Sequence, residues 1–486
     1  MSQPSDMRKF DEGLSSTSEE ELELRSHRTR SFVENFAISF VTLNFMGSVR
    51  SSFFLGLLAG GARVVCTSLF VSVAFSSLTA FVMARIYYGL PFSGSVYTWL
   101  AATLTSKQAR YFAFAVVCWS TSAWIIFITV TGQSAANHIQ SQLAMWDIEF
   151  PGGISNDNIT WRTTVWAMSE GLLLLSVAMN YLPTKAYSSV FKFSTALMIL
   201  DFLLCAIWLP INAHHARHDG SRSAKEVFTM AYEGTGAPGP WNWMLSFLFS
   251  VLIFVGYNTP GYVAEDSKIA SVAAGRGILT SMASTAVIGF TATFLFFLCT
   301  IYSDTISLNV PRTLSHIYAL GLGNYPRVFM TVVAAASYIM TTTLIIVTGS
   351  RLAFSFALDV VLPPSEWIRK VTEDGQPRNA VTAVFGLSAA LLCTLVPSQA
   401  VFTAILLFGT RATIAACGVS VLLRLTMTRV SSPSRHGSTS VDVEGGSPLS
   451  TSSGMESSFG LSARRPSKGE NDERLTAPED DSSKDL

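Results

Sequence analysis

The sequence predicts an all-α chain that crosses a membrane about ten times, and three observations predict it. The 486 residues are 49% hydrophobic and only 14% charged, with a mean hydropathy of +0.39, too apolar for an ordinary soluble protein. Apolar stretches of about 20 residues, the length a helix needs to span a bilayer, recur along the chain. Two of them carry clusters of polar residues and glycine in mid-span, which lipid tolerates only where the backbone lines a cavity.

The chain opens with a polar, charged segment over 1–32, expected to be a disordered cytoplasmic tail. It holds no apolar core of a cleavable signal, so the first span is expected to target the chain. A first set of five spans follows over 33–210, at 33–56, 62–87, 110–134, 161–181 and 187–210. The second of these stops at Gly89-Leu90-Pro91. An external loop is expected over 211–241, then a second set of five over 242–425, at 242–264, 275–301, 325–349, 379–397 and 400–424. The Ser-, Gly- and Thr-rich remainder, 426–486, is expected to be a disordered cytoplasmic tail.

Orientation follows from the basic residues. With the N-terminus inside, the inner stretches hold Arg8, Lys9, Arg25, Arg28, Arg30, Lys107, Arg110, Lys185, Arg276, Arg369 and Lys370 among others, and the outer loops far fewer. Asn158-Ile159-Thr160 then lies outside, making Asn158 a glycosylation candidate. Trp241 and Trp243 fit an interfacial aromatic belt at the outer start of the sixth span.

Composition also removes classes of function. A net formal charge of zero gives no field for nucleic acid. The six cysteines fall in separate apolar segments without CxxC spacing, so free thiols are expected, with neither a disulfide framework nor a zinc site. His214, His215 and His218 share an expected external loop and lack further ligands, so they read as solvated; no metal or cofactor is expected. The ionisable residues inside the spans are scattered singly, which argues against a membrane enzyme.

The interruptions carry the functional argument. In FVGYNTPGYVAEDSK, 254–268, Gly256 and Gly261 loosen the backbone and Pro260 removes a donor. The first span carries Asn44, Gly47, Ser48, Arg50, Ser51 and Ser52 in its middle. The two stand five spans apart, at equivalent places in two five-helix halves, which is where transporters hold their substrates. Broken helices offer amides to anionic groups and carbonyls to cations.

These residues carry a resemblance. GYNTPGYVAEDSKIASVAAGRGI is similar to the sixth-helix signature of the amino acid/choline transporter family, within the amino acid, polyamine and organocation superfamily. SGSVYTWLAA at 93–102 resembles its segment after helix 2, and RLAFSFALDVVLPPSEWIRKVTEDGQPRNAV at 351–381 its loop after helix 8. The resemblance implies a leucine-transporter-like fold of two inverted five-helix repeats. It further implies a permease for amino acids or related amines (4-aminobutyrate, choline, polyamines) driven by protons, in the plasma membrane or alternatively the vacuolar membrane. The chain departs from the family in three places: Asn258 where relatives commonly have Asp or Glu, Arg85 where many have Glu, and ten apparent spans where twelve are usual.

The candidate substrate-binding residues are therefore Asn44, Gly47, Ser48, Arg50, Gly256, Tyr257, Asn258 and Thr259. Arg50 is open to two roles: binding a substrate carboxylate, or pairing with Glu265, Asp201 or Glu170. Tyr257 could close over a substrate by packing or by cation-π contact. Glu170, Asp201, Glu265 and Asp266 are candidates for gating or coupling. The rival to transport is a solute sensor that keeps the fold.

Overall fold

The computed structural model describes residues 32–89, 107–146, 148–216, 225, 229, 234–263, 270–299, 324–359, 365–372 and 376–430. Among them helix dominates and no strand occurs. Every expected span has its helix: α1a (Phe32–Leu43) and α1b (Phe45–Leu58), α2 (Gly61–Gly89), α3 (Lys107–Met145), α4 (Ile159–Asn180), α5 (Thr184–Ala216), α6a (Gly239–Leu252) and α6b (Thr259–Tyr262), α7 (Ala270–Cys299), α8 (Asn324–Asp359), α9 (Arg378–Leu392) and α10 (Gln399–Val430). Eight of the spans are individually long and apolar enough to cross a membrane. A helix satisfies its backbone internally, which hydrocarbon demands.

Two boundaries differ from expectation. Helix α5 carries Pro210 inside it and runs on through His214 and His215 to Ala216, so those two histidines are helical rather than looped. Helix α10 continues to Val430, past the boundary where the tail was expected.

The packing repeats when five is added to each span number. Helices α3 and α8, which exchange under that operation, form the most extensive pair. The pair α1a–α7 maps onto α6a–α2, α3–α10 onto α8–α5, and α4–α8 onto α9–α3, and all of these pack. Because each repeat has an odd number of spans, the second enters the membrane from the side opposite the first.

Polar links recur at the related interfaces. Ser39 donates to Ser281 across α1a and α7 at 2.7 Å, and Ser68 pairs with Ser250 across α2 and α6a, also at 2.7 Å. Asn180 of α4 donates to the Thr343 carbonyl of α8 at 3.1 Å; Thr129 of α3 donates to the Ser388 carbonyl of α9 at 3.3 Å. Hydroxyl and amide bonds of this kind are worth about 0.6 kcal/mol each in a membrane interior, so they fix register more than they supply stability. Phe53, Phe249, Phe296 and Phe297 fill the core between α1b, α6a and α7. Phe70, Phe75, Leu78 and Phe81 of α2 face outward, as a lipid-facing stripe should.

Candidate functional site

Span 1 breaks at Asn44. It has φ 41° and ψ 48°, and it is the one non-glycine residue with positive φ among those described. Asparagine tolerates this left-handed conformation better than most residues, and here its side chain closes the break by accepting from the Gly47 amide at 3.2 Å. Gly47 is required by that closure, since a Cβ there would sit 2.3 Å from the Asn44 carboxamide.

Span 6 breaks over residues 253–258. Gly256 has φ 110°, which only glycine adopts without strain, and a Cβ on it would lie 3.4 Å from the Thr42 carbonyl oxygen. The two breaks therefore abut backbone to backbone. Thr259 donates its hydroxyl to the Gly256 carbonyl at 2.7 Å.

A cavity with room of about 90 Å³ opens beside them. Asn44, Gly47 and Ser48 line it on span 1, Trp124, Phe127 and Ser134 on α3, Val255 on span 6 and Tyr338 on α8. Its wall is largely apolar and, among the described residues, holds no carboxylate. Among the described residues the buried Thr42 hydroxyl, also on this wall, has no hydrogen-bond partner, which leaves a polar atom for a ligand or water to satisfy.

The other expected residues fall elsewhere. Arg50 does not line the cavity: its guanidinium makes a two-pronged ion pair with Asp201 of α5 at 2.6 and 2.5 Å, and also donates to Cys205 Sγ at 3.1 Å. Both residues are buried, Arg50 3% and Asp201 1% exposed. Of the partners open to Arg50, the structure selects Asp201. Glu170 sits half-buried on α4, outside the cavity wall. Tyr257 turns away from the cavity into a second, apolar groove between α2, α6a and α10, where it donates to Thr79 at 3.1 Å. Asn258 faces a third, smaller pocket and donates to Tyr262 at 2.9 Å. Glu265 and Asp266 lie outside the described residues, as does the segment 93–102.

Asn158 caps α4: its Oδ1 accepts from the Thr160 amide at 3.0 Å, and its Nδ2 donates to the carbonyls of Pro151 and Gly153, each at 2.8 Å. The nitrogen a glycan would take is thus engaged in bracing the preceding loop.

Sequence reasoning missed the wall opposite the breaks. Tyr338 donates to the Gly47 carbonyl at 2.8 Å and accepts from Ser51 at 2.9 Å, locking α8 to the first turn of α1b. The His138 ring lies tilted 4.9 Å from the Tyr338 ring, with Nδ1 on the Ser134 carbonyl at 2.8 Å. The signal lay in TGQSAANHIQSQ, a polar run that continues α3 beyond the expected end of the span.

Comparison with known proteins gives one consistent result. Residues 33–437 match the amino acid permease family. The chain is similar to a thiamine transporter of Schizosaccharomyces pombe, 33% identical over 83% of this chain and 72% of the relative. It is 25% identical to amino-acid permease 2 of Neurospora crassa, over 69% of this chain and 60% of the relative. With the amino-acid permease BAT1 homolog of Oryza sativa it shares 25% identity over 83% of this chain and 78% of the relative.

Proposed function

This chain belongs to the amino acid permease family, a family of membrane transporters, and from that premise we propose that it is a secondary active transporter of small amines, working by alternating access with substrate held beside the two breaks. The observation that carries the proposal is the abutment of Gly256 on the Thr42 carbonyl, beside a cavity lined from spans 1, 3, 6 and 8. Interrupted helices at equivalent places in two inverted halves are where transporters bind substrate and coupling ion.

Among amines, the site favours cations without a carboxylate. A zwitterionic amino acid needs a partner for its carboxylate, yet the Gly47 amide is taken by Asn44 and the Arg50 guanidinium by Asp201. The C-terminal ends of α1a and α6a both finish at the breaks, and such ends carry partial negative charge that attracts a cation. Trp124, Phe127 and Tyr338 add aromatic faces for stacking and cation-π contact. The 33% identical relative, a thiamine transporter by name, supports the same class, since thiamine is an aromatic cation. We rank thiamine and choline above 4-aminobutyrate, polyamines and neutral amino acids. Asn44, Gly47, Ser48 and Thr42 form one side of the proposed site, and protons are the proposed coupling ion, with Asp201 and Glu170 as coupling candidates. The plasma membrane, with both termini cytoplasmic, is the proposed location.

The test is uptake of radiolabelled compounds into proteoliposomes under an imposed pH gradient. Accumulation of thiamine or choline that collapses with the gradient is expected. Binding without accumulation would instead identify a sensor, and accumulation of neutral amino acids alone would overturn the ranking.

A further inference from the structure

Among the described residues, one buried imidazole nitrogen on α3 is left with an open lone pair. His138 sits one turn beyond the cavity residue Ser134, toward the end of α3 that the charge bias of the sequence assigns to the outside. Its Nδ1 lies 2.8 Å from the Ser134 carbonyl oxygen. A carbonyl can only accept, so Nδ1 carries the hydrogen and the neutral ring has its lone pair on Nε2. Nε2 is buried and has no hydrogen-bond partner. One turn further out, both carboxamide atoms of Gln142 are buried and unpartnered in the same way.

The surroundings of His138 do not welcome a second proton. Arg50 of α1b acts on it electrostatically, and the Arg50 charge is matched by Asp201 of α5 alone. The Tyr338 ring of α8 leans on the imidazole at 4.9 Å, tilted by 46°. Other charged side chains on the helices packed against α3 are engaged elsewhere. Arg162 of α4 donates to the Val396 carbonyl, Glu170 of α4 bonds to Trp166, Arg378 of α9 lies over the Tyr181 ring, and Arg411 of α10 is exposed. Arg327 and Arg351 of α8 lie about three turns or more along the helix from Tyr338. An imidazolium enclosed here would bury both a charge and an N–H with nothing to receive them, which is heavily penalised.

Resting on the transport proposal above, we propose that His138 Nε2 is a proton-binding site that fills only while the cavity is open to the outside. Water entering along Gln142 delivers a proton to the Nε2 lone pair, giving an imidazolium that keeps its Nδ1–H on the Ser134 carbonyl. Closure returns that proton to the water outside, because the Tyr338 hydroxyl engages Gly47 and Ser51 directly beside the ring and leaves Nε2 dry. Protonation and a closed cavity therefore oppose each other. His138 joins Asp201 and Glu170 as a coupling candidate, and both of its contacts, Ser134 and Tyr338, line the cavity.

A hydrated imidazole titrates near pH 6.5, so its neutral fraction falls about tenfold between pH 8 and pH 5.5. The test uses the full chain in nanodiscs, its native cysteines replaced, Cys205 by Ser and the rest by Ala. Arg63→Cys and Ile159→Cys, at the exposed outer ends of α2 and α4, carry spin labels whose distance distribution gives the open-to-closed ratio without any ligand. That ratio should rise about tenfold from pH 8 to pH 5.5, and the Kd for thiamine should rise by a similar factor. His138→Asn keeps an N–H for the Ser134 carbonyl but takes no proton, so it should hold both quantities near their pH 8 values; where it fails to fold, His138→Gln serves in its place. A parent chain whose ratio ignores pH overturns the proton site, and so does a pH response that survives the replacement of His138. The label distances do not depend on substrate, so a chain that shifts with pH as expected but accumulates nothing would sink the transport proposal and spare the proton site.

Discussion

Span 1 breaks at one residue and closes on its own side chain, whereas span 6 breaks over residues 253–258, closes partly on the Thr259 hydroxyl and leans on its neighbours as well. At Asn44 the backbone turns left-handed, the side chain caps the Gly47 amide, and the Ser48 amide already returns to the Asn44 carbonyl at 2.8 Å. At span 6 no side chain caps α6b. The interruption is secured by Tyr257 on Thr79 of α2 and by the Gly256 backbone against Thr42 of span 1. Span 1 is further tied to α5 through Arg50 and Asp201, and to α8 through Tyr338. The difference teaches that the shape of the first break is set largely within span 1, whereas that of the second is set jointly by span 6, Thr79 of α2 and Thr42 of span 1.

Substitutions at four places break or sharpen that contrast. Arg50→Ala should have the largest effect, because it strands a buried carboxylate, and breaking such a pair costs about 3–5 kcal/mol. Thermal unfolding in detergent would show it, and the double replacement Arg50→Met with Asp201→Leu should recover most of the loss. Gly256→Leu comes next: a side chain forced to φ 110° costs about 1–3 kcal/mol and presses on Thr42, so uptake should vanish while membrane insertion persists. Asn44→Ala should cost about 1 kcal/mol as a lost cap, and Asn44→Gly only a few tenths, since glycine keeps the left-handed turn. Equal losses from the alanine and glycine variants would mean that span 1 is not self-repaired. Smallest are Ser39→Ala and Ser68→Ala, each about 0.6 kcal/mol, and the related interfaces should make the two losses match.

Much of the architecture was legible in the residues. Apolar length pointed to a helix at each expected span, and eight of them among the described residues are by themselves long and apolar enough to cross a membrane, because hydrocarbon thickness sets that length directly. The interruptions were legible because Gly256, Pro260 and Asn44 each have a backbone consequence that does not depend on their neighbours. Helix ends were less so: α5 passes through Pro210 and α10 reaches Val430, because hydropathy measures the bilayer and not the helix. The partner of Arg50 was undetermined among three carboxylates, since only tertiary packing brings Asp201 to it. For the same reason the sequence grouped Tyr257 and Asn258 with Asn44, whereas successive residues of an irregular segment point into three different pockets. Trp124 gave no signal at all, as one aromatic in an apolar helix looks like any other.

The serine pairs Ser39–Ser281 and Ser68–Ser250 have a consequence for biogenesis. Each joins a helix made early on the ribosome to one made some 180 to 240 residues later. The first five helices therefore enter the bilayer before those partners are synthesised; Ser68 still has the Val65 carbonyl of its own helix to donate to, whereas Ser39 should hold water or the insertion machinery until the seventh helix emerges. A chain stalled after α5 would be inserted yet unassembled, the state in which quality-control proteases would find it.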